Sequence, residues 1–201
     1  MLKLTPYAII LVLIISVGGV FYPKLGYLML PIYPTLIIIS AFRGRWFCGN
    51  FCPWGSTMDL LGPISRKVRA STLMRSMWFR VPLLVAMMGF MAFRIIQTQG
   101  AVDNIGMVFV TMSTMIASVS ILSGVFIMPR VWCQFCPMGT IQRILGGSKY
   151  QLKVDREKCV MCGKCHQVCP MQLQVNETLG KPDCIKCGRC VVACPKKALS
   201  F

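Results

Sequence analysis

The sequence predicts an all-α membrane bundle of four transmembrane helices, arranged as two pseudo-repeated hairpins, followed by a small α+β domain built on metal-binding cysteines. Three observations predict it. The 201-residue chain is 55% hydrophobic and only 14% charged, whereas soluble domains carry about 25% charged residues. Four apolar segments approach the roughly 20 residues that a membrane helix needs. All twelve cysteines fall into a few short, regularly spaced motifs.

The first apolar segment runs from about Tyr7 to Tyr22. No A-x-A site follows it, so it reads as a span and not as a cleaved signal peptide. The second, Leu25 to Phe42, contains Pro31 and Pro34 and is expected to kink or break. The third runs from about Met77 to Ile96, with Arg80 and Arg94 placed to snorkel toward the two surfaces. The fourth, Asn104 to Met128, is uncharged throughout. Residues Ser65 to Met77 alternate basic and apolar side chains, as an amphipathic helix on a membrane surface does.

The formal charge is +16, from 22 Lys and Arg against 6 Asp and Glu. Such a balance suits contact with anionic lipid headgroups or with acidic electron-transfer partners. The charges lie between apolar spans, not in one basic domain, which argues against nucleic acid as a partner. Seven Lys and Arg lie from Arg43 to Arg80 and twelve from Pro129 onward. The positive-inside rule then puts the N-terminus and the C-terminal tail on the cytoplasmic side of the inner membrane. The chain has one histidine, His166, too few for the paired axial ligands of b-type haem.

Cys52-Pro-Trp-Gly-Ser-Thr-Met-Asp-Leu-Leu-Gly62 aligns without a gap with Cys136-Pro-Met-Gly-Thr-Ile-Gln-Arg-Ile-Leu-Gly146. Upstream, Arg45-Trp46-Phe47-Cys48 faces Arg130-Val131-Trp132-Cys133. Each copy follows a pair of spans, so residues 1–150 read as two units, 1–76 and 77–150. Parallel copies bring both motifs to one membrane face. Cys48, Cys52, Cys133 and Cys136 then supply four thiolates, a complete shell for an iron–sulfur cluster or a tetrahedral metal. A shared cluster is the favoured reading. A zinc site, separate buried thiols and a transient dithiol are the alternatives. Trp46, Trp54, Arg45 and Arg130 flank the motifs, as an aromatic belt with snorkelling arginines does; a quinone headgroup pocket is the sharper reading.

Residues 151–201 carry the strongest signal. Cys159-x2-Cys162-x2-Cys165-x3-Cys169-Pro170 is followed by Cys184-x2-Cys187-x2-Cys190-x3-Cys194-Pro195. This is the bacterial two-cluster ferredoxin spacing, in which the fourth cysteine of each run serves the other run's cluster. One [4Fe-4S] cluster is expected on Cys159, Cys162, Cys165 and Cys194. The second is expected on Cys184, Cys187, Cys190 and Cys169. Gly163 and Gly188 follow the second cysteine of each run, where a missing side chain lets backbone approach the cluster. Cys162-x2-Cys165-His166 also spells a haem c attachment motif, but both cysteines are needed by the longer run, and His166 reads as a surface residue.

With these motifs the chain resembles the NapH-type polytopic iron–sulfur membrane proteins and the C-terminal part of NosR-type proteins. In that family both membrane motifs are C-x3-C-P, whereas Cys133-Gln-Phe-Cys136-Pro137 is one residue shorter. The resemblance implies an electron-transfer subunit that relays electrons between the quinone pool and partner redox subunits of a larger respiratory complex. No nucleotide-binding or protease motif is present, so the chain reads as a subunit and not as a self-contained enzyme. The rival reading is a membrane copper reductase or assembly factor for an oxidase, with Met87, Met88, Met91, Met107, Met112 and Met115 as soft ligands.

Overall fold

A computed structural model describes residues 8–60, 62–65, 68, 71–176 and 181–201. The chain begins with α1 (Ala8–Leu13), a π-helical turn (Ile14–Gly18) and α2 (Gly19–Phe21). A 3-10 helix (Pro23–Met29) leads into α3 (Ile32–Arg43). The expected break in the second apolar segment falls at Leu30–Pro31, with Pro31 capping α3. Two longer helices, α6 (Met77–Gln97) and α7 (Val102–Phe126), follow the first cysteine motif.

Three helical segments, Pro23–Arg43, Met77–Gln97 and Val102–Phe126, are long and apolar enough to cross a membrane. The sequence suggests four. The first apolar run is helical, but its apolar part, Ile10–Phe21, is shorter than a span requires, and Tyr7 lies outside the described residues. The surface helix expected over Ser65–Met77 is also absent where the chain is described. Thr72–Arg75 forms a single 3-10 turn between extended Ser71 and Ser76, and residues 66–67 and 69–70 lie outside the described set.

The α7 helix is the centre of the bundle. Gly106, Ser113, Ala117, Ser120 and Gly124 form its buried stripe. In a bilayer, small residues at a helix interface let backbones approach closely. Here Gly26 of the 3-10 segment meets the Gly106 carbonyl, and Gly106 meets the Pro23 carbonyl.

Each cysteine motif folds as a short helix, a corner and a second helix. The first has α4 (Trp46–Asn50) and α5 (Pro53–Leu60); the second has α8 (Trp132–Phe135) and α9 (Pro137–Gly146). The proline after each Cys-Pro cysteine opens its helix, where a missing N–H costs nothing. Ser56 and Thr140, at matching positions, return their hydroxyls to the carbonyls of Cys52 and Cys136. The packing crosses over between the halves: α5 lies against α1 and α7, and α9 lies against α3 and α6.

The tail is a small α+β unit. Its ends pair as a two-stranded antiparallel sheet, β1 (Lys153–Val154) with β2 (Leu199–Ser200). Between them lie α10 (Lys164–Gln167) and α11 (Arg189–Ala193). Gly163 and Gly188 cap these helices at φ 73° and 72°, a left-handed backbone that glycine adopts without steric cost. The tail does not hang free. Asn50 Nδ2 donates to the Lys186 carbonyl at 3.3 Å, Arg75 donates to the carbonyls of Met171 and Gln172, and Gly49 packs its Cα face on the Ile185 carbonyl.

A methyl group on Gly49 has no room against that carbonyl. Gly49→Ala is therefore expected to loosen the tail, costing about 1–3 kcal/mol. Limited proteolysis checks this: cleavage between residues 147 and 160 should speed up in the variant while the membrane core stays intact.

Candidate metal centres

The four motif cysteines come from separate parts of the sequence but line one apolar cavity, together with Tyr33, Trp54, Met58 and Gln142. Cys48 and Cys133 lie on α4 and α8; Cys52 and Cys136 sit at the corners before α5 and α9. The thiols interact electrostatically with one another: Cys48, Cys133 and Cys136 all act on Cys52. Burial pushes the Cys133 thiol up to about 12, opposed by the charges of Arg130 and Arg45. Backbone N–H groups of Met138 and Gly139 point at Cys136, and that of Gly55 at Cys52. The Gln142 Nε2 donates to Cys48 Sγ at 3.1 Å.

Two arginines tie the halves together, and neither is a snorkelling residue. Arg45 and Arg130 are each 1% exposed. Arg45, from the first half, donates through its second guanidinium nitrogen to the Cys133 carbonyl. Arg130, from the second, donates to the Cys48 carbonyl at 2.9 Å. Gly139 and Gly55, at matching positions, make space for them: a methyl on Gly139 would stand 2.6 Å from Arg45, and one on Gly55 3.4 Å from Arg130.

Each guanidinium ends on a carboxylate. Arg130 clasps Asp59 through two hydrogen bonds of 2.9 and 2.5 Å, and Arg189 of the tail reaches the same carboxylate at 2.6 Å. Arg45 reaches Asp183 of the tail at 3.1 Å. Arg80 and Arg143 join it at 2.6 and 2.5 Å. Arg80 is thus wholly buried in an ion network and does not extend to a membrane surface. Burial alone would raise the Asp59 carboxyl, but the hydrogen bond and charge of Arg130, with Arg189, outweigh it and hold it below the usual range. Sequence reading passed over Asp59 and Asp183. The signal was weak: four of the six acidic residues, Asp59, Asp155, Glu157 and Asp183, lie beside cysteine motifs, and only the fold singles out Asp59 and Asp183.

In the tail, Cys159, Cys162, Cys165 and Cys194 line a second cavity. Cys184, Cys187 and Cys169 all act electrostatically on Cys190, whose thiol burial pushes up to about 12. The ferredoxin spacing assigns these same two foursomes as ligand sets. The two runs also bend alike. Met161 and Lys186, before each second cysteine, and Gln172 and Lys197, three residues past each fourth, all have positive φ near 50°. The Leu173 N–H reaches Cys169 Sγ and the Ala198 N–H reaches Cys194 Sγ. His166 is half-buried and accepts from the Asn176 N–H at 3.4 Å, so it is not a free surface residue.

The membrane motif and the tail share one apolar cluster, in which Cys48 and Cys133 pack with Cys187, Met171 and Ile185, and Cys169 packs against it. The methionines of the long helices do not line the cysteine cavity, but Met29, Met58 and Met138 do. Among the described residues no group of three or more His, Cys, Asp and Glu side chains closes on a single metal ion. Thiols spread around a cavity, with N–H groups aimed at sulfur, fit a cluster better than one bare ion.

Comparison with known proteins agrees. Residues 25–71 and 109–155 each match the family described as "4Fe-4S binding domain", and residues 151–195 match the "4Fe-4S dicluster domain". The chain carries 4Fe-4S binding domains. Its relatives include two proteins of Methanocaldococcus jannaschii. "Uncharacterized protein MJ0749" is 28% identical over 82% of this chain and 67% of its own length. "Uncharacterized protein MJ0750" is 29% identical over 83% of this chain and 76% of its own. "Putative electron transport protein YccM" of Escherichia coli is 23% identical over 72% of this chain, which spans 46% of that protein. No solved structure matches the chain.

Arg130→Ala leaves Asp59 without its bidentate partner at a largely buried site. Removing one member of such a pair typically costs about 3–5 kcal/mol. The double variant R130M/D59N should recover part of that loss, as read by the denaturation midpoint in detergent. A full-sized loss in the double variant would show that the cost comes from the lost Cys48 carbonyl contact of Arg130 and not from its ion pair.

Proposed function

We propose that the chain is a membrane-bound iron–sulfur electron-transfer subunit. The observation that carries this reading is the continuity of sulfur sites: the cavity lined by Cys48, Cys52, Cys133 and Cys136 shares an apolar cluster with the tail through Cys187 and Cys169. In this reading Cys159, Cys162, Cys165 and Cys194 hold one [4Fe-4S] cluster and Cys184, Cys187, Cys190 and Cys169 a second. The four membrane-motif cysteines hold a third. Bound clusters supply one-electron transfer. The chain's own residues fix their separation, keep water from the inner cavity and donate hydrogen bonds to sulfur.

The crossed packing of α5 and α9, and the matching family segments at 25–71 and 109–155, support a duplicated unit of two spans and a Cys-Pro motif. Four spans follow if the segment beginning near residue 7 crosses the membrane. The charge asymmetry supports a cytoplasmic tail at the inner membrane. The NapH-type resemblance and the name of the YccM relative support a relay between a cytoplasmic-side partner and the quinone pool or another redox subunit of a respiratory complex. The second reading, a copper reductase or assembly factor, draws support from Met29, Met58 and Met138, which add soft thioethers to the cysteine cavity.

Iron and acid-labile sulfide, counted after anaerobic purification, separate the readings. Three cubanes give about twelve irons per chain, at four each, and Cys48→Ser should lower the count to about eight. A wild-type count of about eight, with one copper bound per chain, would instead support metal handling. Gln142→Leu should leave the count unchanged and lower the midpoint potential of the membrane-motif centre alone, because hydrogen bonds to sulfur stabilise the reduced state. A redox titration followed by electron paramagnetic resonance reads that shift.

A further inference from the structure

We infer that the surface Val160–Met161–Cys162 is the docking site of a small acidic electron-carrier protein, an inference that rests on the electron-transfer reading above. Its basis is the internal repetition of the tail. The two cysteine runs fold alike, down to the left-handed residues Met161 and Lys186 at the same place in each. In the second run that surface is occupied: Ile185 is 1% exposed and Lys186 3%, because Gly49 and Asn50 of the membrane motif sit on them. In the first run the equivalent surface is largely open among the described residues, with Asn176 Nδ2 donating to Met161 Sδ at 3.8 Å. Val160 is 59% exposed and Met161 68%, and Cys162 is exposed as well.

One face of a repeated unit thus delivers its cysteine site to the membrane motif, and its twin is open. The cavity around Cys159, Cys162, Cys165 and Cys194 is lined by tail residues alone, whereas the second run's Cys187 packs on the membrane part. The open site is therefore the terminus that a soluble partner reaches.

Charge names the kind of partner. Lys158, Lys164 and Lys196 line the cavity, and among the described residues no acidic side chain does. Lys153, Arg156 and Lys197 extend the basic surface, and the acidic residues in the same segment are Asp155 and Glu157. Asp155 pairs with Lys158 at 2.8 Å. An exposed apolar lip in a basic ring fits a carrier whose own redox centre lies in an acidic rim. Such encounters are small, transient and steered by charge. In the exchange one electron leaves the reduced carrier and enters the centre held by the four cysteines; no bond forms and no proton moves.

The test uses the full chain in nanodiscs of neutral phosphatidylcholine, with a chemically reduced, small acidic [2Fe-2S] ferredoxin as the probe. Stopped-flow absorbance gives the second-order rate of electron transfer, and calorimetry gives binding of the oxidised carrier. The wild-type rate should fall steeply with salt. The triple variant K158E/K164E/K196E should be slower at low salt by about tenfold or more, converging with wild type at high salt. V160D/M161D should weaken binding. Unchanged iron content in both variants confirms that they fold. A triple variant that matches wild type at every salt concentration would overturn the docking site and leave the electron-transfer reading standing. Salt-dependent binding that the triple variant abolishes, without any electron transfer, would uphold the docking site and sink that reading. Loss of binding to anionic vesicles in the triple variant, with carrier rates untouched, would assign the patch to lipid headgroups and overturn the proposal.

Discussion

The structure depends on a reciprocal exchange of two buried guanidinium groups. Arg45 of the first motif holds the Cys133 carbonyl of the second, and Arg130 of the second holds the Cys48 carbonyl of the first. A guanidinium that leaves water carries a large desolvation cost, recovered only where counter-charge and hydrogen bonds meet it closely. Here each is met twice, by a carbonyl and by a carboxylate. The carbonyls belong to cysteines on the wall of the cavity, so the contact that joins the halves also fixes the direction in which those cysteines face. Glycines at positions 55 and 139 leave room for it.

The same arginines set the charge of the region. Arg45, Arg80, Arg143, Arg130 and Arg189 converge on only two carboxylates, Asp183 and Asp59. Cations in surplus beside a buried cavity favour the deprotonated form of any thiol in it. Burial works the other way and raises the Cys52, Cys133 and Cys136 thiols. The centre proposed for these four sulfurs would resolve the conflict, because it would supply the bonds that keep thiolates stable in an apolar wall. The arginine surplus and the cysteine cavity therefore make physical sense together, and neither does alone.

The cysteine grouping was legible in the sequence because spacing within a short run is local information. The ferredoxin foursomes followed from C-x2-C-x2-C-x3-C, and the membrane foursome from aligning Cys52 with Cys136. The break at Leu30–Pro31 followed from proline chemistry. What could not be read were partners distant along the chain. Arg45, Arg80 and Arg130 sit beside apolar segments, where local reasoning assigns a snorkelling role. Only the fold shows that Asp183, 138 residues beyond Arg45, comes back to meet it. The first span was read from hydropathy, and the described residues hold an apolar helix there, Ile10–Phe21. Over Ser65–Met77, the alternation suited an amphipathic helix, yet Arg75 is drawn to the backbone of Met171 and Gln172, and among the described residues there the one helical piece is the 3-10 turn Thr72–Arg75.

Two internal repetitions meet at this junction, and each is asymmetric. The membrane motifs exchange arginines almost as mirror partners, but Gln142, which donates to Cys48 Sγ, has Met58 at the matching place in the first half. The four sulfurs therefore do not see equal surroundings. The tail repeats the theme, since its two runs share turns and N–H···S contacts but differ in what covers them. The second run is clamped to the membrane part by Asp183 directly before Cys184 and by Arg189 directly before Cys190. The clamps flank the cysteines themselves, so the ion pairs tie the second run directly to the membrane part. A sequence that needed only to tether a ferredoxin could have used a flexible linker. This one spends two of its six acidic residues on rigid contact at the one junction where separation matters.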